Sequence, residues 1–390
     1  MFALVLASLL LIPLTGSAQK QVNLDEAILL AKQHNPSLRA AQLGVEREKV
    51  MLKGSNYIGD TELSAGGEEI GRGNDGVFTL VQVRQNINFL GNKSRNRYQK
   101  QNIATSKAAA NLTSAQLCKE VSLAYTNAYI AFQRMKVYQR IDSIYQQFEH
   151  AAQVKYKSRE TSYLEYLTAR NKAAETTENL RVATDDYHIA NIKLSQWVGI
   201  ECVPTIAPSV AFADSSSITT NPQMQYMAEQ VKLADTNILK EKANALPSFF
   251  VEGGTQKIGS KTGYWMFNVG ISVPLFRTSF NARNKAAHID KEIAQANYDV
   301  IKQQIISTHN SLKAEQKKWE RQLLYFTETA LPTARQQQQG AESAYRLGAT
   351  DYIGFIQTMG DAVQTEFNYW NVYEQWLTTN IELQYINIEK

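Results

Sequence analysis

LPSFFVEGGTQKIGSKTGYWMFNVGISVPLFRTSFNAR, residues 246–283, is the stretch whose reading decides the fold of this chain. It contains two runs, Ser248–Lys257 and Tyr264–Pro274, joined by a Gly/Ser/Lys turn. In the second run Trp265, Phe267, Val269, Ile271 and Val273 alternate with Tyr264, Met266, Asn268, Gly270 and Ser272. A period of two puts the large apolar groups on one face of a strand and the small or polar groups on the other. A tilted strand of ~9–11 residues crosses a bilayer, and apolar-out, polar-in alternation suits a water-filled barrel. The apolar set is therefore expected to face lipid. On both sides of this hairpin the pattern changes to long, uninterrupted helix.

The chain has 390 residues, and 41 Lys and Arg against 37 Asp and Glu leave a net charge of +4, too balanced to argue for a nucleic-acid partner. Only 8 prolines and 20 glycines in this length point to long regular elements rather than many loops. The two cysteines, Cys118 and Cys202, make neither a disulfide framework nor a metal cluster. Residues 2–14, FALVLASLLLIPL, with Gly16-Ser17-Ala18 before Gln19, are read as a signal peptide over 1–18, too short for a transmembrane helix. The apolar core is not followed by a Cys, so the lipid-anchored form of such a signal is not expected.

From Leu24 the chain reads as helix, with a break at Asn35-Pro36 and a second helix to about Lys53. Residues 61–69 and 77–87 form a second strand pair, a hairpin over about 61–88, with Val77, Thr79, Val81 and Val83 assigned to one face. GRGNDG (71–76) is its turn; with no Lys-Ser/Thr after it, it is not a phosphate loop. A helix from about Lys93 to Lys155 contains no Gly or Pro and would be roughly 90 Å long. Val121, Tyr125, Ala128, Phe132 and Met135 step along it in the rhythm of helices packed side by side. A turn at Ser158–Ser162 returns it as a helix to Val198, giving a helical hairpin over about 93–198. Residues 203–221, rich in Pro, Ser and Thr, are read as a surface linker.

The plan then repeats. Asn221-Pro222 follows Asn35-Pro36 by 186 residues, and Arg283 follows Arg97 by the same interval. The hairpin at about 248–274 is followed by a helix from about Asn281 to Arg346, a turn at Leu347–Asp351, and a return helix, the second helical hairpin (about 281–388). At an interval of 189, Thr161-Ser162-Tyr163-Leu164 matches Thr350-Asp351-Tyr352-Ile353. The expected organisation is thus two repeats, 19–202 and 222–390. Four strands cannot close a barrel, and an open strand edge facing lipid would leave N–H and C=O groups without partners. The chain must then oligomerise, and three copies would supply twelve strands and twelve helical segments.

The duplicated plan resembles that of the TolC-like outer-membrane efflux proteins. The resemblance is carried by NPSLRAAQ (35–42), NPQMQYMAEQ (221–230), VPLFRTSFNAR (273–283) and AYRLGATDYIGFI (344–356), and it covers the chain in order. It implies a mainly helical protein with a trimeric, twelve-stranded outer-membrane β-barrel continued by a periplasmic α-helical barrel. It implies no enzyme activity, but passive conduction of substrate as the exit duct of a tripartite system, with a periplasmic adaptor and an inner-membrane RND pump as partners. GISVPLF, TALPTA (329–334) and NIELQYINI look most like the outer-membrane partners of heavy-metal-type pumps. Drug efflux and type I secretion use the same scaffold. By position, the family's acidic ring falls on Glu165, while the second repeat has Gly354 there and Asp351 three residues earlier. Glu165 is otherwise read as one partner of an ion pair with a neighbouring helix. The adaptor-contacting tips fall on Arg159, Thr161 and Leu164, and on Gly348, Thr350 and Ile353.

The residues offer no catalytic constellation, cofactor fingerprint or metal site. His34, His150, His188, His288 and His309 have no tight ligand spacing, and no GxSxG or Walker loop occurs. A periplasmic coiled-coil adaptor or a structural stalk would share the helical rhythm, but neither duplicates a membrane strand pair.

Overall fold

The computed structural model describes residues 20–68, 76–208 and 221–386. The signal-peptide reading (1–18), the turn at 71–75 and most of the linker (209–220) lie outside the described residues. The elements run β1 (Lys20–Val22), α1 (Leu24–His34), α2 (Pro36–Lys53), β2 (Thr61–Glu68), β3 (Val77–Ile87), α3 (Asn92–Lys157), α4 (Tyr163–Val198), β4 (Cys202–Pro204), α5 (Pro222–Asn244), β5 (Ser248–Ile258), β6 (Lys261–Ser272), α6 (Thr278–Tyr325), a π-helical turn (Phe326–Ala330), α7 (Leu331–Arg346) and α8 (Tyr352–Ile386). They pack as two compact units, which do not coincide with the two sequence repeats. The first takes residues up to 35, 117–211 and 315–381; the second takes 36–116, 212–314 and 382 onward.

The first unit is a helical bundle. Val121, Tyr125, Ala128 and Met135 of α3 are buried, so the side-by-side helical rhythm is realised as packing. A continuous core joins Tyr145, Phe148 and Ala152 of α3, Ala169 and Ala173 of α4, Ala341 and Tyr345 of α7, and Tyr352, Phe355 and Met359 of α8. Alanines on α4 let large rings from the other three helices enter. The start of the supposed linker is structured instead. β4 pairs in parallel with β1, Lys20 opposite Cys202 and Val22 opposite Pro204. The buried Tyr125 hydroxyl lies within hydrogen-bonding distance of Ile206 O (2.9 Å) and Val22 O (3.2 Å), and Val22 O also accepts from Thr205 N at 3.0 Å. The long helix of the second repeat is also not continuous. It widens into a π turn at Phe326–Ala330, which ends two residues before Pro332. Proline has no N–H and its ring crowds the carbonyl four residues back, so the wider turn absorbs it.

The second unit holds the sheet. Its order is β2-β3-β5-β6, antiparallel throughout, so the two hairpins join through β3 and β5. β2 and β6 are its edges. Cross-strand partners Leu63, Val83, Gly253 and Phe267 form one row on the apolar face. On the opposite face Glu62, Arg84, Glu252 and Asn268 form a polar row. There Asn268 Nδ2 donates to Glu252 Oε1 at 3.1 Å and Arg84 Nε lies 4.0 Å from Glu252 Oε2. Trp265, Phe267, Val269 and Ile271 are 54–82% exposed, an apolar surface that the described residues leave uncovered. Val273 is also exposed but lies one residue beyond β6.

Two details differ from the simple alternation. The register shifts between Thr79 and Val81, so Thr79 pairs with Gln256 while Val81 pairs with Thr255. One inserted residue flips the pattern, which puts Thr79 on the polar face and Val81 on the apolar one. At Gly270 an added Cβ would lie 2.2 Å from Phe250 Cζ, because the Phe250 ring covers this cross-strand glycine. Arg84 lies over the same ring, 3.9 Å from its centroid. Gly270→Ala should expel the ring and destabilise the sheet by about 1–3 kcal/mol. Thermal unfolding of the detergent-solubilised protein measures this; an unchanged midpoint would mean that the glycine is not needed for ring packing.

Candidate functional site

Within the first unit, the turns that join α3 to α4 and α7 to α8 come together, and both are built in the same way. Arg159 N donates to Tyr156 O (3.0 Å) and Glu160 N to Lys155 O (2.8 Å); Gly348 N donates to Tyr345 O (3.1 Å) and Ala349 N to Ala344 O (2.8 Å). Each turn needs a left-handed residue, Arg159 at φ 64° and Gly348 at φ 72°. Glycine takes that conformation at little cost, whereas arginine takes it against its Cβ. Each return helix is then capped: Ser162 Oγ accepts from Glu165 N (3.1 Å) and Asp351 Oδ1 from Gly354 N (2.8 Å). Asp351 is thus an N-cap of α8.

Glu165 is bonded inside its own chain. Thr161 Oγ1 donates to Glu165 Oε2, and the Tyr345 hydroxyl donates to Glu165 Oε1 at 3.2 Å. This replaces the ion pair of the sequence reading with two hydrogen bonds, one of which ties the first helical hairpin to the second. In the second repeat, Thr350 Oγ1 lies 2.8 Å from where a Cβ on Gly354 would be, so the space of the matching carboxylate is filled. Leu164 and Ile353 are exposed, presenting one apolar side chain from each turn, with Leu347 beside Gly348.

Below the turns lies an aromatic cluster. Phe148, Tyr345, Tyr352 and Phe355 pack with ring centroids 4.1–6.1 Å apart, and Lys155 Nζ lies 4.7 Å from the Tyr345 centroid. Burial, and then the Glu165 carboxylate, push the Tyr345 phenol up to about 12. Burial and then Glu175 do the same to Tyr145, also to about 12. Sequence reasoning missed Tyr345, although it is the residue in AYRLGATDY that reaches the first repeat; heptad spacing marks it only as packing. Among the described residues there is no cluster of His, Cys, Asp and Glu able to hold a metal, and no helix is long and apolar enough to cross a membrane. Cys118 and Cys202 are buried free thiols, both pushed up by burial.

An exposed apolar sheet continued into paired long helices defines a class. The fold is that of the TolC-like outer-membrane efflux channels. CusC matches with a TM-score of 0.77 over 94% of this chain and 92% of its own at 18% identity; the Campylobacter jejuni CmeC outer membrane channel matches with 0.79 over 93% and 85% at 12%. Residues 215–386 match the family "Outer membrane efflux protein". The "Probable outer membrane lipoprotein SilC" of Salmonella typhimurium is 23% identical over 240 residues, 56% of this chain. The chain spans about half (52%) of the length of that curated relative.

Two measurements check the turns. Arg159→Gly should stabilise the protein by about 1 kcal/mol and Gly348→Ala should destabilise it by a similar amount. Equal midpoints for wild type and both variants would show that the left-handed turns carry no strain. The raised phenols give a pH dependence. Their protons are held in the folded state after an unfolded tyrosine, at ~10, has lost its own, so stability present below pH ~10 falls as pH rises toward 12. Tyr345→Phe should remove part of that fall in thermal midpoints recorded across this range. An identical alkaline slope would rule the Tyr345 phenol out as a contributor.

Proposed function

We propose that the protein is the outer-membrane exit duct of a tripartite efflux system of the heavy-metal RND type. In this reading three copies close a twelve-stranded barrel, and the chain conducts substrate passively from an inner-membrane pump and a periplasmic adaptor. The observation that carries it is the sheet. One face is apolar and exposed, the other is a polar row in which Asn268 bonds Glu252, and both edge strands lack strand partners among the described residues. In lipid, such a sheet needs copies of itself to satisfy its edges. The heavy-metal assignment rests on the resemblance of the second repeat to outer-membrane partners of such pumps. The paired turns, with Leu164 and Ile353 exposed, are the proposed adaptor-contacting tips. The Glu165–Tyr345 bond lies at the proposed periplasmic constriction, where it would hold the two helical hairpins together.

The reading is tested by the mass of the detergent-solubilised particle and by paired arginine scanning of β6. Three chains per particle are expected, and a stable monomer would end the proposal. Val269→Arg should cost ~2–4 kcal/mol near the bilayer midplane and lower the yield of assembled, heat-modifiable barrel. Asn268→Arg, on the polar face, should be milder. Equal yields from the two variants would refute the assigned facing.

A further inference from the structure

In the second unit, a cleft of about 1140 Å³ opens between α3, α5 and neighbouring helices, and its charge is one-sided. Lys93, Arg97, Lys100, Lys232 and Lys291 line it against one carboxylate, Asp235. That carboxylate is taken: Lys291 Nζ lies 2.6 Å from Asp235 Oδ1, and Lys232 is paired with Glu229 at 2.8 Å. Lys93, Arg97 and Lys100 form no ion pair among the described residues. They are exposed and spaced four and three residues apart, on one face of α3.

The position of Lys93 is costly for the helix. Lys93 stands in its first turn, where the macrodipole disfavours a cation, and no acid offsets it there. From Asn92 the helix has no Asp or Glu until Glu120, while Lys93, Arg95, Arg97, Lys100, Lys107 and Lys119 all precede it. A face that merely keeps a helix soluble mixes the two signs. Arg95 is employed locally, donating to Asn88 O at 2.7 Å, whereas Lys93, Arg97 and Lys100 line the cleft. Lys93 lies six residues beyond Ile87, the last residue of β3, and Lys100 about 10 Å further along the helix axis. The cleft therefore lies at the foot of the sheet. Leu52 and Val231 supply apolar wall, while Asn96 and Thr236 are engaged within the chain, Asn96 with Ser55 and Asn56 and Thr236 with Leu233 O.

We propose that this cleft binds the phosphate headgroup of an anionic membrane lipid, seated where the sheet's apolar face gives way to the helices. This rests on the membrane reading above. A phosphodiester suits the site because it accepts several N–H donors at once, and juxtamembrane Lys and Arg each gain from an anionic lipid surface. The apolar wall would meet the glycerol and the first methylenes, which an inorganic ion lacks.

The full-length, detergent-solubilised protein is titrated with phosphatidylglycerol, phosphatidylcholine and inorganic phosphate and read by native mass spectrometry. Phosphatidylglycerol should bind most tightly. The variant Lys93→Gln/Arg97→Gln/Lys100→Gln should weaken it by roughly a hundredfold, about fivefold per cation, and leave phosphatidylcholine unchanged. Equal phosphatidylglycerol affinity in variant and wild type overturns the proposal. So does inorganic phosphate competing as well as the lipid, which marks a free-anion site. A change in particle mass in the variant also overturns it, because the cations would then be serving a contact between copies. Should the variant fail to fold, photoreactive phosphatidylglycerol is cross-linked to wild type: adducts confined to segments 52–56, 93–101 and 231–236 and to Lys291 support the site, and adducts elsewhere remove it. Reconstitution into phosphatidylcholine vesicles separates the two readings. Failure to insert sinks the membrane assignment itself, whereas insertion without preference for phosphatidylglycerol sinks only the lipid site.

Discussion

Backbone hydrogen bonding at the strand edges constrains everything else in this protein. β3 and β5 are paired on both sides, but β2 and β6 each present one row of N–H and C=O groups with no partner in the sheet. In water such edges are hazards for aggregation; in hydrocarbon each unpaired group costs several kcal/mol. The apolar row from Leu63 through Phe267 adds a second demand, since it is exposed in the isolated chain. Both demands are met at once if copies of the chain join edge to edge in a membrane, and the polar row then faces inward.

The duplication is a physical fact as well as a textual one. Asn35 Nδ2 donates to Trp197 O (3.1 Å), and Asn221 Nδ2 donates to Ile386 O (2.8 Å), so matching residues tie matching helix ends in each repeat. The two tip turns share their hydrogen bonds residue by residue. Where the copies diverge, the divergence has local causes. Arg159 bears strain that Gly348 avoids, Thr350 occupies the space above Gly354, and Pro332 imposes a π turn in the second long helix.

The tip shows how a carboxylate is placed by its neighbours. The start of α4 favours an acid in its first turn, and Glu165 is there. Its oxygens are then taken by Thr161 and by Tyr345, whose ring belongs to the aromatic cluster under the turns. A hydrogen bond to a buried phenol costs less desolvation than a buried ion pair would.

Much of this was legible in the chain itself. Alternation marked β6 and its exposed face, the absence of Gly and Pro marked the 66-residue α3, and the interval of 186–189 residues marked the repeats, because all three are local or periodic properties. Tertiary structure decided the rest. The joining of the hairpins through β3 and β5, the bulge that moves Thr79 to the polar face, the β1–β4 ladder inside the supposed linker, and the partner of Glu165 all depend on contacts between residues far apart in sequence. Periodicity says which face of an element is apolar. It does not say which distant element will cover that face, and the grouping of segments from both repeats into each compact unit follows from that second choice.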